Sequence, residues 1–128
     1  MALERNLVIE QGDTLTQDWQ WVSKVGEVPV DLTGCLITLQ IRKAKDPLSP
    51  VLLELSTANG GIILDTPEEG RFKIFLSQEG TYLLEGIPAE PTATRAYYDL
   101  IVQFGDGGES RKLLKGNVVF YPSTTYPA

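Results

Sequence analysis

Apolar residues recur along this chain at every second position. From Cys35 to Lys43, the side chains of Cys35, Ile37, Leu39 and Ile41 alternate with those of Leu36, Thr38, Gln40 and Arg42. A period of two puts one set on one face of an extended strand and the other set on the opposite face. Phe72, Ile74 and Leu76 repeat the pattern, as do Tyr98, Leu100, Val102 and Phe104. Leu114, Val118 and Phe120 follow it, with Gly116 at the missing apolar step. An interior strand glycine often marks a bulge or a close approach of another backbone. Near the start, Leu15, Trp19 and Trp21 share a face opposite Thr14, Thr16, Asp18 and Gln20.

Turn chemistry separates these runs. Gln11-Gly12-Asp13 precedes the tryptophan strand, and Gly26 to Pro29 and Asp31-Leu32-Thr33-Gly34 bracket a short crossing segment. Asp46 to Pro50 cannot be a central strand, because each of its prolines removes a ladder donor. Asn59-Gly60-Gly61 and Glu69-Gly70 read as hairpin connections, and Gly105-Asp106-Gly107-Gly108 as the clearest hairpin turn. Ser77 to Leu84 is at best a helical turn, and Gly86 to Thr94 reads as a loop. The expectation is an all-β chain of seven to eight short strands, spaced by turns about every 8–12 residues. That pattern belongs to an antiparallel sandwich or a small barrel.

The length fits one domain over residues 1–128. Area scaling lets such a chain bury roughly two thirds of its unfolded surface, enough for a core without staples. Its longest apolar runs, such as Val51-Leu52-Leu53, are far short of a membrane-spanning helix. Met1 to Asn6 has no basic region leading into an apolar stretch, so no secretory signal is expected.

Composition narrows the chemistry. There is no histidine, which removes the commonest general base and the commonest neutral metal ligand. The single cysteine, Cys35, allows neither an internal disulfide nor a cysteine zinc site. The formal charge of −6 opposes the phosphate neutralisation on which nucleic-acid affinity rests. No enzyme, cofactor, metal, nucleic-acid or membrane role is expected.

The remaining candidates have bland readings beside them. Asp65, Glu68 and Glu69 cluster near one turn, and Asp106 and Glu109 near another; turn carboxylates commonly bond to nearby amides. Cys35 lies on an apolar strand face with no histidine to activate it, so it reads as a small hydrophobe. Trp19, Trp21, Tyr97, Tyr98, Tyr121 and Tyr126 could form an aromatic platform for sugar. For Trp19, Trp21 and Tyr98 a core position is the stronger reading, since they share faces with aliphatic residues. Arg42-Lys43-Ala44-Lys45 and Arg111-Lys112 are short basic patches that suit a solvated face, edge protection, or acidic neighbours in an assembly.

Five segments carry a resemblance when taken in order. They are Ile9 to Leu15, Pro29 to Gly34, Leu39 to Arg42, Tyr97 to Leu100 and Arg111 to Val119, continued by Pro122 and Thr125. Together they resemble small proteins encoded among the tail and baseplate genes of phages and prophages, over about residues 7 to 125. The resemblance implies an immunoglobulin-like β-sandwich serving as a virion component, and it brings no catalytic residues. The implied role is a structural baseplate or tail-fibre adaptor, made in the bacterial host cytoplasm and built in several copies into a symmetric tail. Its partners would be other tail, baseplate or fibre proteins. Residues 1–8 and 121–128 are expected to be extended arms, with Leu7, Val8, Tyr121, Pro122, Tyr126 and Pro127 at the partner interface. The alternative is a small carbohydrate-binding β-sandwich used in host-surface recognition.

Overall fold

Strand β4, Leu36–Arg42, completely buries Ile37, Leu39 and Ile41 and turns Leu36 toward solvent. The alternation in its sequence is thus an alternation of faces in three dimensions. The same holds for β7, Arg71–Leu76, which buries Phe72, Ile74 and Leu76. In the computed structural model, the described residues are 3–10, 12–23, 26–43, 46, 48, 49, 51–77, 94–105 and 108–121. The other strands among them are β1 (Leu3–Glu4), β2 (Leu7–Glu10), β3 (Leu15–Gln20), β5 (Val51–Ser56), β6 (Ile62–Leu64), β8 (Thr94–Gln103) and β9 (Ser110–Tyr121).

The nine strands form two sheets. The larger runs β1-β9-β8-β4-β5, with β2 also on β9; the smaller runs β3-β7-β6. Leu7, Ile9, Leu39, Leu100 and Val118 from the larger sheet share one buried cluster with Ile62, Phe72 and Ile74 from the smaller. The fold is all-β and sandwich-like. Each fully buried aliphatic side chain in that cluster contributes about 1.5–3 kcal/mol relative to exposure.

Two expectations need correction. The larger sheet is mixed rather than antiparallel, because β1 and β2 both pair parallel to β9. Leu3 lies opposite Leu114 and Leu7 opposite Val118, so the two segments keep one register along β9. They act as a single parallel strand interrupted at Arg5 and Asn6. The ladder persists across the break, where the Arg5 amide donates to the Lys115 carbonyl at 3.0 Å and the Asn117 amide to Asn6 Oδ1 at 3.4 Å. Of the N-terminal arm expected over residues 1–8, the described part is β1 and the start of β2, with Arg5 and Asn6 as the break between them. Period two shows which face a residue takes but not which strand lies beside it.

The second correction concerns Asn59-Gly60-Gly61. It is not a hairpin, because β5 belongs to the larger sheet and β6 to the smaller. It is a corner between the layers, held by Asn59. The Asn59 Oδ1 accepts from the amides of Ser56 and Gly61, both at 2.9 Å, and its Nδ2 donates to the Glu54 carbonyl at 2.9 Å. Gly61 packs onto Leu55 so closely that a Cβ would lie 2.6 Å from Leu55 Cδ2. Glu69-Gly70 does join two antiparallel strands, β6 and β7, through a 3-10 turn over Pro67–Glu69. Strands β8 and β9 form the antiparallel pair expected around Gly105 to Gly108. Most of Ser77–Leu84 and of Gly86–Thr94, and residues 122–128, lie outside the described residues.

Candidate functional site

The outward faces of β8 and its neighbours bring polar residues from five strands together. Across the larger sheet, Glu54, Gln40, Asp99, Lys115 and Glu4 stand in one row of strand partners. Beside it runs a second row of Val51, Arg42, Tyr97 and Asn117. The alternation that sends Leu39, Leu100 and Leu114 inward forces these residues outward. Two bulges tune the surface, one in β5 opposite Ile41 and Arg42 and one in β9 opposite Leu100 and Ile101. Bulges bend and twist a strand locally.

A groove of about 570 Å³ lies on this face, with Tyr97, Gln40, Arg42 and Asn117 in its lining. Its charges are largely answered from within. The Lys112 ammonium is 3.1 Å from Asp99 Oδ2, and the Lys115 ammonium is 3.7 Å from Glu4 Oε1. The Arg42 guanidinium donates to Gln40 Oε1 at 2.9 Å and to the Ser49 carbonyl. Gln40 in turn donates from Nε2 to Glu54 Oε1 at 2.7 Å. Exposed pairs of this kind contribute little to stability, typically below about 1 kcal/mol each. Their effect here is to hold long side chains in place along the groove.

Beneath the floor, Tyr98 points into the body and its hydroxyl donates to the Arg5 carbonyl at 2.7 Å. Burial pushes its phenol up to about 12, against a smaller opposing pull from the Arg5 charge. At the end of the body carrying the 3-10 turn, hydrogen bonds from the side chain and amide of Thr33 hold the Asp31 carboxyl below its ordinary value.

The sequence candidates fall in different places. Leu7 is 2% exposed, so its side chain lies inside the core. Val8, on the opposite face of the same strand, is 46% exposed. Tyr121 closes β9 opposite Glu10, and Pro122, Tyr126 and Pro127 lie outside the described residues. Trp19 and Trp21 are half-buried against the core, and Tyr98 is within it, so these three do not form an open aromatic platform. Trp21 instead meets Phe104, with ring centroids 5.7 Å apart. Tyr97 stands apart from them, in the groove.

Among the described residues the carboxylate candidates do not converge, and Asp106 lies outside them. Glu69 faces Arg71 at 4.0 Å, Glu109 faces Arg111 at 3.2 Å, and Asp65 is exposed. Among the described residues, no group of three or more His, Cys, Asp or Glu is placed to hold a metal ion. Cys35 is buried, and its thiol is pushed up by that burial and, less, by the charge of Asp31. Of the two basic patches, the second meets acids of this same chain, Arg111 with Glu109 and Lys112 with Asp99, while in the first Arg42 bonds to Gln40 and the Ser49 carbonyl, and Ala44 and Lys45 lie outside the described residues.

Sequence reasoning passed over Gln40, Asp99, Lys115 and Asn117. The only available signal was their outward phase on alternating strands, which they share with every solvated residue. No protein-family model matches the sequence, and no curated protein matches it.

Proposed function

We propose that this chain is a structural component of a phage tail, acting as a baseplate or tail-fibre adaptor through protein–protein contacts. In this reading its body is an immunoglobulin-like sandwich, repeated in several copies in a symmetric assembly within the virion. The observation that carries the proposal is an open strand edge. Strand β2 is paired on one side by β9, and among the described residues no strand occupies its other side. An open edge offers unpaired backbone groups to a partner's strand. Val8, exposed on that strand, supplies an apolar contact beside it.

The segments that resemble the tail-protein family add support, because they lie where the body's shape is set. Leu32 of the Asp31 to Gly34 turn is fully buried, and its amide bonds to the Pro67 carbonyl at 2.8 Å. Tyr98 and Gly116, from two other segments, meet at the interruption between β1 and β2. A chain whose recurring features fix a rigid body suits a spacer between partners.

The test is composition of purified tails from a host making the parent phage or prophage. The chain should be present in fixed proportion to the other tail proteins. Val8→Lys should fold normally yet fail to enter the particle. Tails that lack the chain altogether would end the adaptor reading; normal entry of the Val8 variant would end the edge as its contact.

A further inference from the structure

Beyond an adaptor role, we infer that the groove on the outer face of the larger sheet is a binding site for an uncharged saccharide. The argument begins with charge. The whole chain carries −6, yet the groove lining holds three cations (Arg42, Lys112, Lys115) and three anions (Glu4, Asp46, Asp99). It is locally neutral on an acidic protein. Its cations are also already engaged, Lys112 by Asp99, Lys115 by Glu4, and Arg42 by Gln40 and the Ser49 carbonyl. A phosphate, sulfate or carboxylate would have to share each cation with the oxygen it already meets and would lie beside Asp99 or Glu4, so it gains less here than at an unshared cation. A basic peptide would meet the same obstacle at the acids.

The other groups of the lining suit hydroxyls. Asn6 and Asn117 line the groove, and an amide side chain can both donate and accept, with Asn6 Oδ1 already accepting from the Asn117 backbone amide. Hydroxyls of a sugar do the same, so the two sets match without any net charge. Tyr97 lies between Arg42 and Asn117 in its row and adds an aromatic ring on which the C–H face of a pyranose can rest. The volume, about 570 Å³, falls within the range of small-ligand sites. Gln40, Arg42, Tyr97, Asp99, Lys112, Lys115 and Asn117 come from adjacent strands, so most of the site is preformed and costs little ordering entropy on binding.

A glycan array of bacterial surface polysaccharides, with neutral and acidic repeat units, tests the assignment using the full chain. The expected result is binding to a neutral glycan, with backbone amide shifts on titration centred on Gln40, Tyr97 and Asn117. Tyr97→Ala should weaken that binding by about tenfold or more, the loss expected for one aromatic contact. Asn117→Ala, a milder change, should weaken it at an unaltered melting temperature, so the site can be judged even if the Tyr97 variant folds poorly. No binding across the array, binding to acidic glycans alone, or shifts centred elsewhere would each overturn the inference. Concentration-dependent shifts at these residues without sugar would overturn it in favour of a second copy of the chain.

Discussion

The Tyr98 hydroxyl donates a hydrogen bond to the Arg5 carbonyl at 2.7 Å, joining β8 to the first strand pair across the intervening β9. Arg5 sits at the interruption between β1 and β2, and its amide already bonds to the Lys115 carbonyl. Tyr98 thus pins the N-terminal strand at its weakest point, where the side chain of Asn6 replaces a regular ladder partner. Tyr98→Phe keeps the ring and removes the donor. It should cost about 1 kcal/mol of unfolding free energy, read by chemical denaturation. Hydrogen exchange should rise at Leu7 and Ile9 more than at Leu39 and Leu100. An unchanged midpoint and uniform exchange would show that the bond contributes nothing to holding the strand.

The same hydroxyl should make the protein fragile in alkali. Folded Tyr98 is pushed up to about 12 by burial, whereas an unfolded tyrosine titrates near 10. Between those values the unfolded chain has released a proton that the folded chain keeps. The unfolded state then binds fewer protons, and stability falls as pH rises. The contribution is complete below about pH 10 and is lost by about pH 12, amounting to about 3 kcal/mol. Urea midpoints measured across that window should drop more steeply for the parent than for Tyr98→Phe. Parallel slopes would mean that Tyr98 ionises as freely in the folded chain as in the unfolded one.

Gly116 explains how the two first strands can lie so close. It faces Tyr98 across the ladder, and a Cβ built on it would run into the Arg5 carbonyl and its carbon while touching the Tyr98 ring at 3.4 Å. The obstacle is backbone, which cannot swing away as a side-chain tip can. Gly116→Ala should destabilise the fold by about 1–3 kcal/mol, the usual range for forced overpacking. The damage should concentrate at β1 and β2, so limited proteolysis should cut near Arg5 first. A variant as stable as the parent would mean that the strand pair shifts at no cost.

The sequence made the strands legible and the neighbours illegible. Cys35, Ile37, Leu39 and Ile41 alternate so regularly that their burial follows from period two alone. The same reading sent Trp19 and Trp21 toward the core, where they pack. Nothing in Leu7-Val8-Ile9 marks a parallel partner more than a hundred residues away, and the sequence reads as an arm over residues 1–8. Burial of Leu7 and Ile9 follows from a pairing that only the folded chain creates. Asn59 misled for a related reason, because turn residues announce a reversal without saying whether the chain stays in its sheet. The groove was hidden most completely. Its residues are the polar half of the alternation, and their meeting depends on strand order, not on any local spacing.

Cys35 provides a check on the closed state of the body. Its side chain is 7% exposed, its amide bonds to the Leu32 carbonyl at 3.0 Å, and Leu32 is itself fully buried. Burial, with a smaller contribution from the Asp31 carboxylate, raises the thiol above its ordinary value. Both effects suppress the thiolate, which is the reacting form. Modification therefore requires the end of the sandwich around Leu32 to open. Iodoacetamide at pH 8 should label native Cys35 about a hundredfold more slowly than the denatured chain, and the ratio should fall when Leu32→Ala loosens that end. The thiol should not form disulfide-linked dimers in air over the same period. Labelling of the native protein at the denatured rate would show that the packing of Leu32 against this end does not close it.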